Sequence, residues 1–333
     1  MRFLSCDWGT TSFRLKLVEG PELRVVAAAT SKEGNAATFE RWQQARQPPE
    51  QRLGFYLEVV RPHVRRLEEQ AGESLAGVPL VVSGMASSTI GMLELPYRPL
   101  PFAANGSDLL TRLLPATAGF AQPVLLISGV KTDDDVMRGE EVQLVGCGFA
   151  ATEQEQLFLH PGTHAKHVLV RQGRAVELKT YMTGEFFALL TTESILASAV
   201  ESGAGGLDQP AHAQAFAQGV QASQRGNLLH EAFLVRTNRL FEKLSKPENF
   251  FYLSGLLIGT ELRDFPTDFT GPVVLAGEDV LVHSYEAALR QLGITGRVAS
   301  VTIQGAEAVT LRGQAAVLER AQAAGQLLAP PSQ

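Results

Sequence analysis

Residues 2–17 read RFLSCDWGTTSFRLKL. The segment 2–6 is a short apolar run and reads as a buried strand. Phe13, Leu15 and Leu17 alternate with Arg14 and Lys16, which predicts a second, half-buried strand. Between them lies Asp7-Trp8-Gly9-Thr10-Thr11-Ser12, whose Asp, Gly and hydroxyl residues favour a turn. The stretch therefore predicts a hairpin with a carboxylate at the end of its first strand. The theme returns later in the chain. Leu157-Phe158-Leu159-His160 reads as a strand, Pro161-Gly162-Thr163-His164 as a tight loop, and Val168-Leu169-Val170 as the returning strand. Gly173 turns the chain into a third strand over 175–181. Gly9-Thr10 and Gly162-Thr163 are the matching points of an internal repeat, weak by identity but alike in topology.

The remaining pattern is mixed. A third strand is predicted at 25–29. A helical region over 49–71 carries Leu53, Leu57, Val60, Val64 and Leu67 on one stripe. Short buried strands at 79–82 and 123–127 end in Ser83-Gly84-Met85-Ala86-Ser87-Ser88 and Ser128-Gly129. A helix is predicted over 139–149. The second half is helical near 185–192, 213–224, 228–244 and 248–263, then gives a strand over 272–276 ending at Gly277. A helix at 279–292, a strand at 298–301 and a last helix at 306–324 follow, with a frayed tail at 330–333. Strands precede helices in both halves, so the class is α/β, built as two related lobes around a cleft.

Composition narrows the function. The chain has 333 residues, more than one core usually holds. Hydrophobic residues make up 45% and charged residues 19%, which excludes a disordered chain. The net charge of -6 argues against a nucleic-acid partner, which needs a basic face. Cys6 and Cys147 form no metal-type cluster and read as two buried reduced thiols. No secretory leader is visible, since Asp7 follows Phe3-Leu4 at once. The uncharged stretches 74–93 and 113–130 contain Pro, Gly, Ser and Thr, so they read as buried strands and loops instead of membrane spans. A cytoplasmic protein is expected, with no membrane partner.

Several residues can carry chemistry. The loop at Gly9, Thr10 and Thr11 can cradle phosphate oxygens, and Asp7 can hold a hydrated Mg2+. An ordinary hairpin turn has the same composition. It is not a Walker loop, because no GxxxxGK[ST] occurs. The second loop, at Gly162, Thr163 and His164, repeats the feature, with Lys166 as a point charge for phosphate. His164 and Lys166 also fit plain surface polarity. The run Asp133-Asp134-Asp135-Val136-Met137-Arg138-Gly139-Glu140-Glu141 reads either as a solvated face or as a cluster at the strand ends, where one carboxylate can take a proton and Arg138 can bind an anion. Gly255 and Gly259 lie four apart on an apolar helix. They suit a close helix contact or a floor under an adenine base. Gly277 ends a strand and can offer amides to a nucleotide.

These pieces and their order resemble the 2-dehydro-3-deoxygalactonokinase family, of the superfamily that joins sugar kinases, actin and Hsp70 chaperones. The most specific are Val136-Met137-Arg138-Gly139-Glu140-Glu141, Pro161-Gly162-Thr163-His164, Met182-Thr183-Gly184-Glu185 and Leu253-Ser254-Gly255-Leu256-Leu257-Ile258-Gly259. The resemblance implies two ribonuclease-H-like lobes around a nucleotide cleft. Residues 1–152 would form the lobe with the first phosphate loop and the sugar pocket, and 153–305 the lobe with the second phosphate loop and the adenosine site. The helix 306–326 would cross back to the first lobe. It also implies transfer of the γ-phosphoryl of ATP to the 6-hydroxyl of 2-dehydro-3-deoxy-D-galactonate, with Mg2+ as cofactor. Related kinases open a helix with Gly-Asp, whose carboxylate is the general base; here the match is Gly139-Glu140. Glu140 is favoured, Glu141 stays open by one residue of register, and Asp134 is a weaker candidate. Asp7 would position Mg2+. Arg14, Arg98 and Arg138 are candidates for the substrate carboxylate, and Ser87 and Ser88 for the sugar pocket. Three alternatives stay open: a kinase for another sugar acid, such as the gluconate epimer, a nucleotide-regulated binding protein of the same fold, and a phosphatase or ATP-independent hydrolase using the same cleft. A homodimer is a common outcome for such enzymes.

Overall fold

The hairpin at the start of the chain opens the first of two sheets that share one strand order. In a computed structural model, which describes residues 1–149, 151–202 and 205–325, β1 (Arg2–Trp8) pairs antiparallel with β2 (Phe13–Glu19), and β2 with β3 (Arg24–Ser31). Helices α1 (Asn35–Gln44) and α2 (Arg52–Ala71) follow, then β4 (Leu80–Gly84), parallel to β1. Short strands β5 (Arg98–Pro99), β6 (Phe102–Ala103) and β7 (Thr111–Leu114) precede β8 (Val124–Ile127), which lies parallel to β4. Strands β9 (Val130–Lys131) and β10 (Val136–Met137) lead into α3 (Glu140–Cys147). The sheet order is β3-β2-β1-β4-β8-β7.

The second sheet repeats that order. It uses β11 (Gln156–His160), β12 (Ala165–Arg171), β13 (Arg174–Tyr181), β14 (Val273–Gly277) and β15 (Val301–Gly305), arranged β15-β14-β11-β12-β13, with the two-residue β6 pairing with the start of β13. Again the first strand is antiparallel to the second and parallel to the fourth. Its helices are α4 (Thr183–Thr192), α5 (Pro210–Ser223), α6 (Leu228–Leu240), α7 (Lys246–Glu261) and α8 (Asp279–Gln291). The last helix, α9 (Ala306–Ala323), closes the described chain; the tail predicted at 330–333 lies outside the described residues. The chain divides into two units. The first takes Met1–Ala151, Gly173–Glu177 and the chain from Glu307 on, and the second takes Thr152–Gln172 and Leu178–Ala306. Each holds one ribonuclease-H-like sheet, so the class is α/β as the strand and helix order predicted.

Local sequence explains these elements. Inward residues of β1 and β2, among them Leu4, Cys6, Trp8, Phe13, Leu15 and Leu17, share a core with Tyr56, Val60, Val64 and Leu67 of α2. The predicted stripe on α2 is thus the buried one, with Leu53 and Leu57 at its margin. Helix α7 starts with a capping box: the Ser245 hydroxyl accepts from the Glu248 N–H, and the Glu248 carboxylate accepts from the Ser245 N–H. In the second unit the core runs from Leu157, Leu159 and Leu275 to Phe216, Val220 and Ile258. Among the described residues no helix is long and apolar enough to cross a membrane. Both cysteines are free; Cys6 is buried, but Cys147 is only half-buried, because it stands in the last turn of α3 next to the exposed Gly148.

Candidate active site

In the first unit, the turn after β1 is held from two sides. The Gly9 N–H donates to the Ser12 carbonyl at 2.9 Å, closing the hairpin. The start of α1 clamps the same turn. The Asn35 side chain donates to the Trp8 and Gly9 carbonyls at 2.8 and 3.2 Å, and the Ala36 N–H donates to the Thr10 carbonyl at 3.1 Å. Gly34 makes this approach possible, since a Cβ there would lie 2.3 Å from the Thr10 carbonyl oxygen. Thr10 and Thr11 remain exposed at the tip. The turn is therefore a fixed loop with outward amides and hydroxyls, which suits anionic oxygens.

Three chain segments converge beside Asp7. Its register partner across the hairpin is Arg14, whose Nη1 donates to Asp7 Oδ2 at 3.1 Å. In the parallel neighbour, Asp7 pairs with Ser83 and Trp8 with Gly84. Gly84 has φ +89°, and a Cβ on it would lie 2.7 Å from the Trp8 carbonyl oxygen and 3.5 Å from Asp7 Oδ1. Gly139 rests on Gly84 in turn and begins α3. Burial raises the Asp7 carboxyl above its ordinary range, Arg14 and Lys16 oppose that, and the Glu140 charge adds to it. The Asp7 and Glu140 carboxyls therefore share one electrostatic site.

Glu140 and Glu141 differ sharply. Glu140 is half-buried, and its Oε2 accepts from the Arg138 N–H at 2.9 Å. Glu141 has no exposed surface, and its Oε2 accepts from the Gly139 N–H at 2.7 Å. Burial, followed by the Glu140 charge, pushes the Glu141 carboxyl up to about 8, against the pull of hydrogen bonds from the main chain and of Arg138. At neutral pH Glu141 is mostly a neutral acid.

The other predicted residues of this unit fall into separate settings. Arg138 Nη1 donates to the carbonyl and hydroxyl oxygens of Ser87 at 2.6 and 2.5 Å, and its guanidinium lies 4.0 Å from the centre of the Tyr97 ring. Ser87 is fully buried, and the Ser88 hydroxyl donates to the Met85 carbonyl at 2.7 Å. Arg98 is paired with Asp108 at 2.9 Å, an aspartate that Arg174 and the Ala103 N–H also hold. Asp134 does not lead a helix. It sits in the turn between β9 and β10, where its Oδ1 accepts from the Thr132 hydroxyl, and α3 begins six residues later at Glu140. The turn forms because the Thr132 hydroxyl also accepts from the Asp134 and Asp135 N–H groups.

In the second unit, the loop at 161–164 is packed as tightly. A Cβ on Gly184 would lie 2.4 Å from the Gly162 carbonyl oxygen and 2.8 Å from Thr163 Cα. The Glu185 N–H donates to the Thr163 carbonyl at 3.0 Å, and the His164 ring N–H donates to the Glu185 carboxylate at 2.5 Å. Lys166 is buried, and its ammonium donates to the His164 carbonyl at 2.9 Å. The end of β14 borders the same loop. The His160 ring donates to the Ala276 carbonyl at 2.7 Å, and a Cβ on Gly277 would lie 3.4 Å from Pro161. The sequence singled out Gly162, Thr163, His164, Lys166 and Gly277, and the structure brings all five together. Gly255 and Gly259 lie elsewhere. A Cβ on Gly255 would lie 2.1 Å from the Phe216 carbonyl oxygen, and one on Gly259 would lie 2.4 Å from the Ser223 hydroxyl. Of the two readings open for them, the close helix contact, here with α5, is the one these distances describe.

Sequence reading gave no role to Asn35, Glu185 and Glu261, and it took Gly84 only as part of a small-residue loop at the sugar pocket. Gly34-Asn35 after a strand is a helix-start signal that pointed to the first. Glu185 lay inside a quoted motif without a role. Glu261 ends an apolar helix and carried no expected role; its side chain is 1% exposed.

Comparison with known proteins adds the following. A model of the 2-keto-3-deoxy-galactonokinase family matches residues 7–317. A 2-dehydro-3-deoxygalactonokinase of Escherichia coli (strain K12) is 28% identical over 302 residues, covering 88% of this chain and 90% of the relative. A probable 2-dehydro-3-deoxygalactonokinase of Rhizobium meliloti (strain 1021) is 28% identical over 303 residues, covering 89% of this chain and 91% of the relative. A crystal structure of a Sinorhizobium meliloti protein, provisionally given the same name, superposes with a TM-score of 0.77. It shares 26% identity and covers 99% of this chain and 98% of that one.

Proposed function

The chain belongs to the 2-keto-3-deoxy-galactonokinase family, and from that premise we propose how its residues carry out phosphoryl transfer. The reaction is the ATP-dependent phosphorylation of 2-dehydro-3-deoxygalactonate, a phosphotransfer to an alcohol. We assign the acceptor as the 6-hydroxyl, a primary alcohol at the far end from the carboxylate.

Phosphoryl transfer asks little covalent chemistry of the protein. It needs in-line positioning, charge compensation on the phosphate oxygens and a group to accept the hydroxyl proton. Glu140 takes the last role. The observation that carries this is the contrast with its neighbour: Glu140 keeps an open face, whereas Glu141 has no exposed surface and holds its proton at neutral pH. A base must reach the proton it takes. The loop at Gly9, Thr10 and Thr11 in the first unit, and separately the loop at Gly162 and Thr163 in the second, each offer backbone donors of the kind that suit phosphate. Gly277, at the edge of the second loop, lies toward the nucleoside. Arg14 offers an exposed guanidinium for the substrate carboxylate. Arg138 fixes the 85–88 segment, which borders the sugar site, through the buried Ser87.

The donors suit Mg2+. Among the described residues no group of three or more candidate ligands forms a cage. Mg2+ usually binds one or two carboxylates plus phosphate and water, and Asp7 provides a carboxylate of that kind. Asp7 would hold the ion through water, and the ion neutralises phosphate charge when bound. The enzyme is placed in the cytoplasm, where ATP is made and free thiols persist. A homodimer would cover Phe186, Leu189, Leu229 and Phe233, which stand exposed on α4 and α6; sedimentation velocity tests it.

A coupled assay of ADP release with Mg-ATP tests the substrate. It compares 2-dehydro-3-deoxy-D-galactonate, its gluconate epimer and no sugar acid. ADP release with the galactonate compound is expected. Release with the epimer alone would keep the mechanism and change the substrate. Release independent of both would point to a nucleotide-regulated binding protein.

A further inference from the structure

The loop at 161–164 owes its shape to α4, yet α4 is poorly anchored by packing. None of its residues is fully buried, and Phe186 and Leu189 stand exposed. Phe187 and Leu190 meet the core of α7 only in part. Something else has to fix the first turn of this helix, because Gly184 and Glu185 touch the loop backbone directly.

The fixture is a buried carboxylate. Glu261 is the last residue of α7, and its side chain is almost wholly enclosed. A buried carboxylate is costly unless its oxygens are fully engaged. Three donors from three other elements meet it. His167 Nε2, on β12, donates to Oε1 at 2.7 Å, and the Tyr285 hydroxyl, on α8, donates to Oε2 at 2.6 Å. The Thr183 hydroxyl, at the first residue of α4, donates to Oε2 as well. The Glu261 charge acts on Tyr285 in the direction these contacts require: burial first, then that charge, holds its hydroxyl protonated well beyond the ordinary range. Two of the three partners have a place relative to the loop. His167 lies one residue beyond Lys166 on the strand that leaves the loop, and Thr183 immediately precedes Gly184.

We propose that Glu261 is a positioning residue for ATP: through Thr183 and His167 it locks the first turn of α4 and the start of β12 around the loop at Gly162 and Thr163. The proposal rests on the reading of that loop as a phosphate site. Glu261 itself touches no substrate. A carboxylate serves where a neutral acceptor would not, since one group with two oxygens takes all three donors as charge-assisted bonds. The shape of the loop thus depends on a group that its own sequence does not contain.

The test separates positioning from stability. In the full chain, Thr183→Val removes one donor and keeps the side-chain size, and Thr183→Ser keeps the hydroxyl. The valine variant is expected to raise the KM for Mg-ATP about 10- to 100-fold, the loss of one hydrogen bond to a charged group, with kcat and the KM for the sugar acid within about 3-fold. The serine variant is expected to stay near the unmodified enzyme. Glu261→Gln, with Tm followed alongside, is expected to move the KM for Mg-ATP in the same direction. A lowered Tm with an unchanged KM for Mg-ATP in both Thr183→Val and Glu261→Gln would reduce the cluster to fold glue and overturn the proposal. Calorimetry on the unmodified chain checks the premise separately: absence of ATP binding there would remove the phosphate-loop reading, and the positioning role with it.

Discussion

Gly139 rests against Gly84: a Cβ added to Gly139 would lie 3.3 Å from the Gly84 Cα, and that contact sets the first turn of α3 beside the end of β1. Gly139 also has φ +111°, a conformation that side chains with a Cβ adopt at a cost. Gly139→Ala is expected to destabilise the protein by about 1–3 kcal/mol. It also shifts Glu140 and lowers kcat more than it raises either KM. Thermal melting with steady-state kinetics checks both effects.

The buried acid at 141 gives the protein a pH signature. Its folded pKa of about 8 stands above the ordinary value of 4.5. The folded state therefore binds more protons than the unfolded state between those two values. Stability from this group is complete below about pH 4.5, declines as pH rises and levels off above about 8. The slope is at most about 1.4 kcal/mol per pH unit. Urea unfolding from pH 5 to 8 is expected to show Glu141→Gln gaining on the unmodified protein as pH rises. Parallel curves would contradict the placement of Glu141.

Asp7 sits where the hairpin, β4 and Glu140 meet. Asp7→Asn keeps the shape and removes the charge. We expect kcat to fall about 100-fold or more, with a higher Mg2+ requirement, because charge compensation at the phosphates dominates this chemistry. Titration of activity against Mg2+ at saturating ATP checks it. An unchanged Mg2+ dependence would take Asp7 out of the metal site.

Gly184 leaves no room beneath the second loop. Gly184→Ala would bring a Cβ to 2.4 Å from the Gly162 carbonyl oxygen, and neither backbone can yield without moving the loop. The KM for Mg-ATP is expected to rise by about an order of magnitude, with the KM for the sugar acid kept. Product-release assays with each substrate varied in turn separate the two.

What the sequence revealed follows physical range. The hairpins were legible because Phe13, Leu15 and Leu17 alternate with charges, a period-two signal within seven residues. Helix α7 was legible through its apolar run, but its start was set at 248 and lies at Lys246, because the Ser245–Glu248 capping box was not read. Helix α1 was not: its buried residues are Asn35 and Thr38, so no apolar stripe marks it. The β5, β9 and β10 strands have two residues each, too few for any period. The carboxylates of the candidate site were legible as a run, but their roles were not. Asp134 and Glu140 look alike in sequence and diverge because Thr132 folds the first into a turn. Glu261 was hidden most fully, since its partners His167 and Thr183 lie 94 and 78 residues away.

The most direct test compares kcat for Glu140→Gln and Glu141→Gln at saturating Mg-ATP and 2-dehydro-3-deoxy-D-galactonate. Loss of the base at 140 is expected to cost about 10²- to 10⁴-fold in kcat with the KM for ATP kept, whereas Glu141→Gln replaces a neutral acid by a neutral amide and stays within about 10-fold. A collapse of Glu141→Gln with Glu140→Gln near the unmodified enzyme would contradict the account and move the base by one residue.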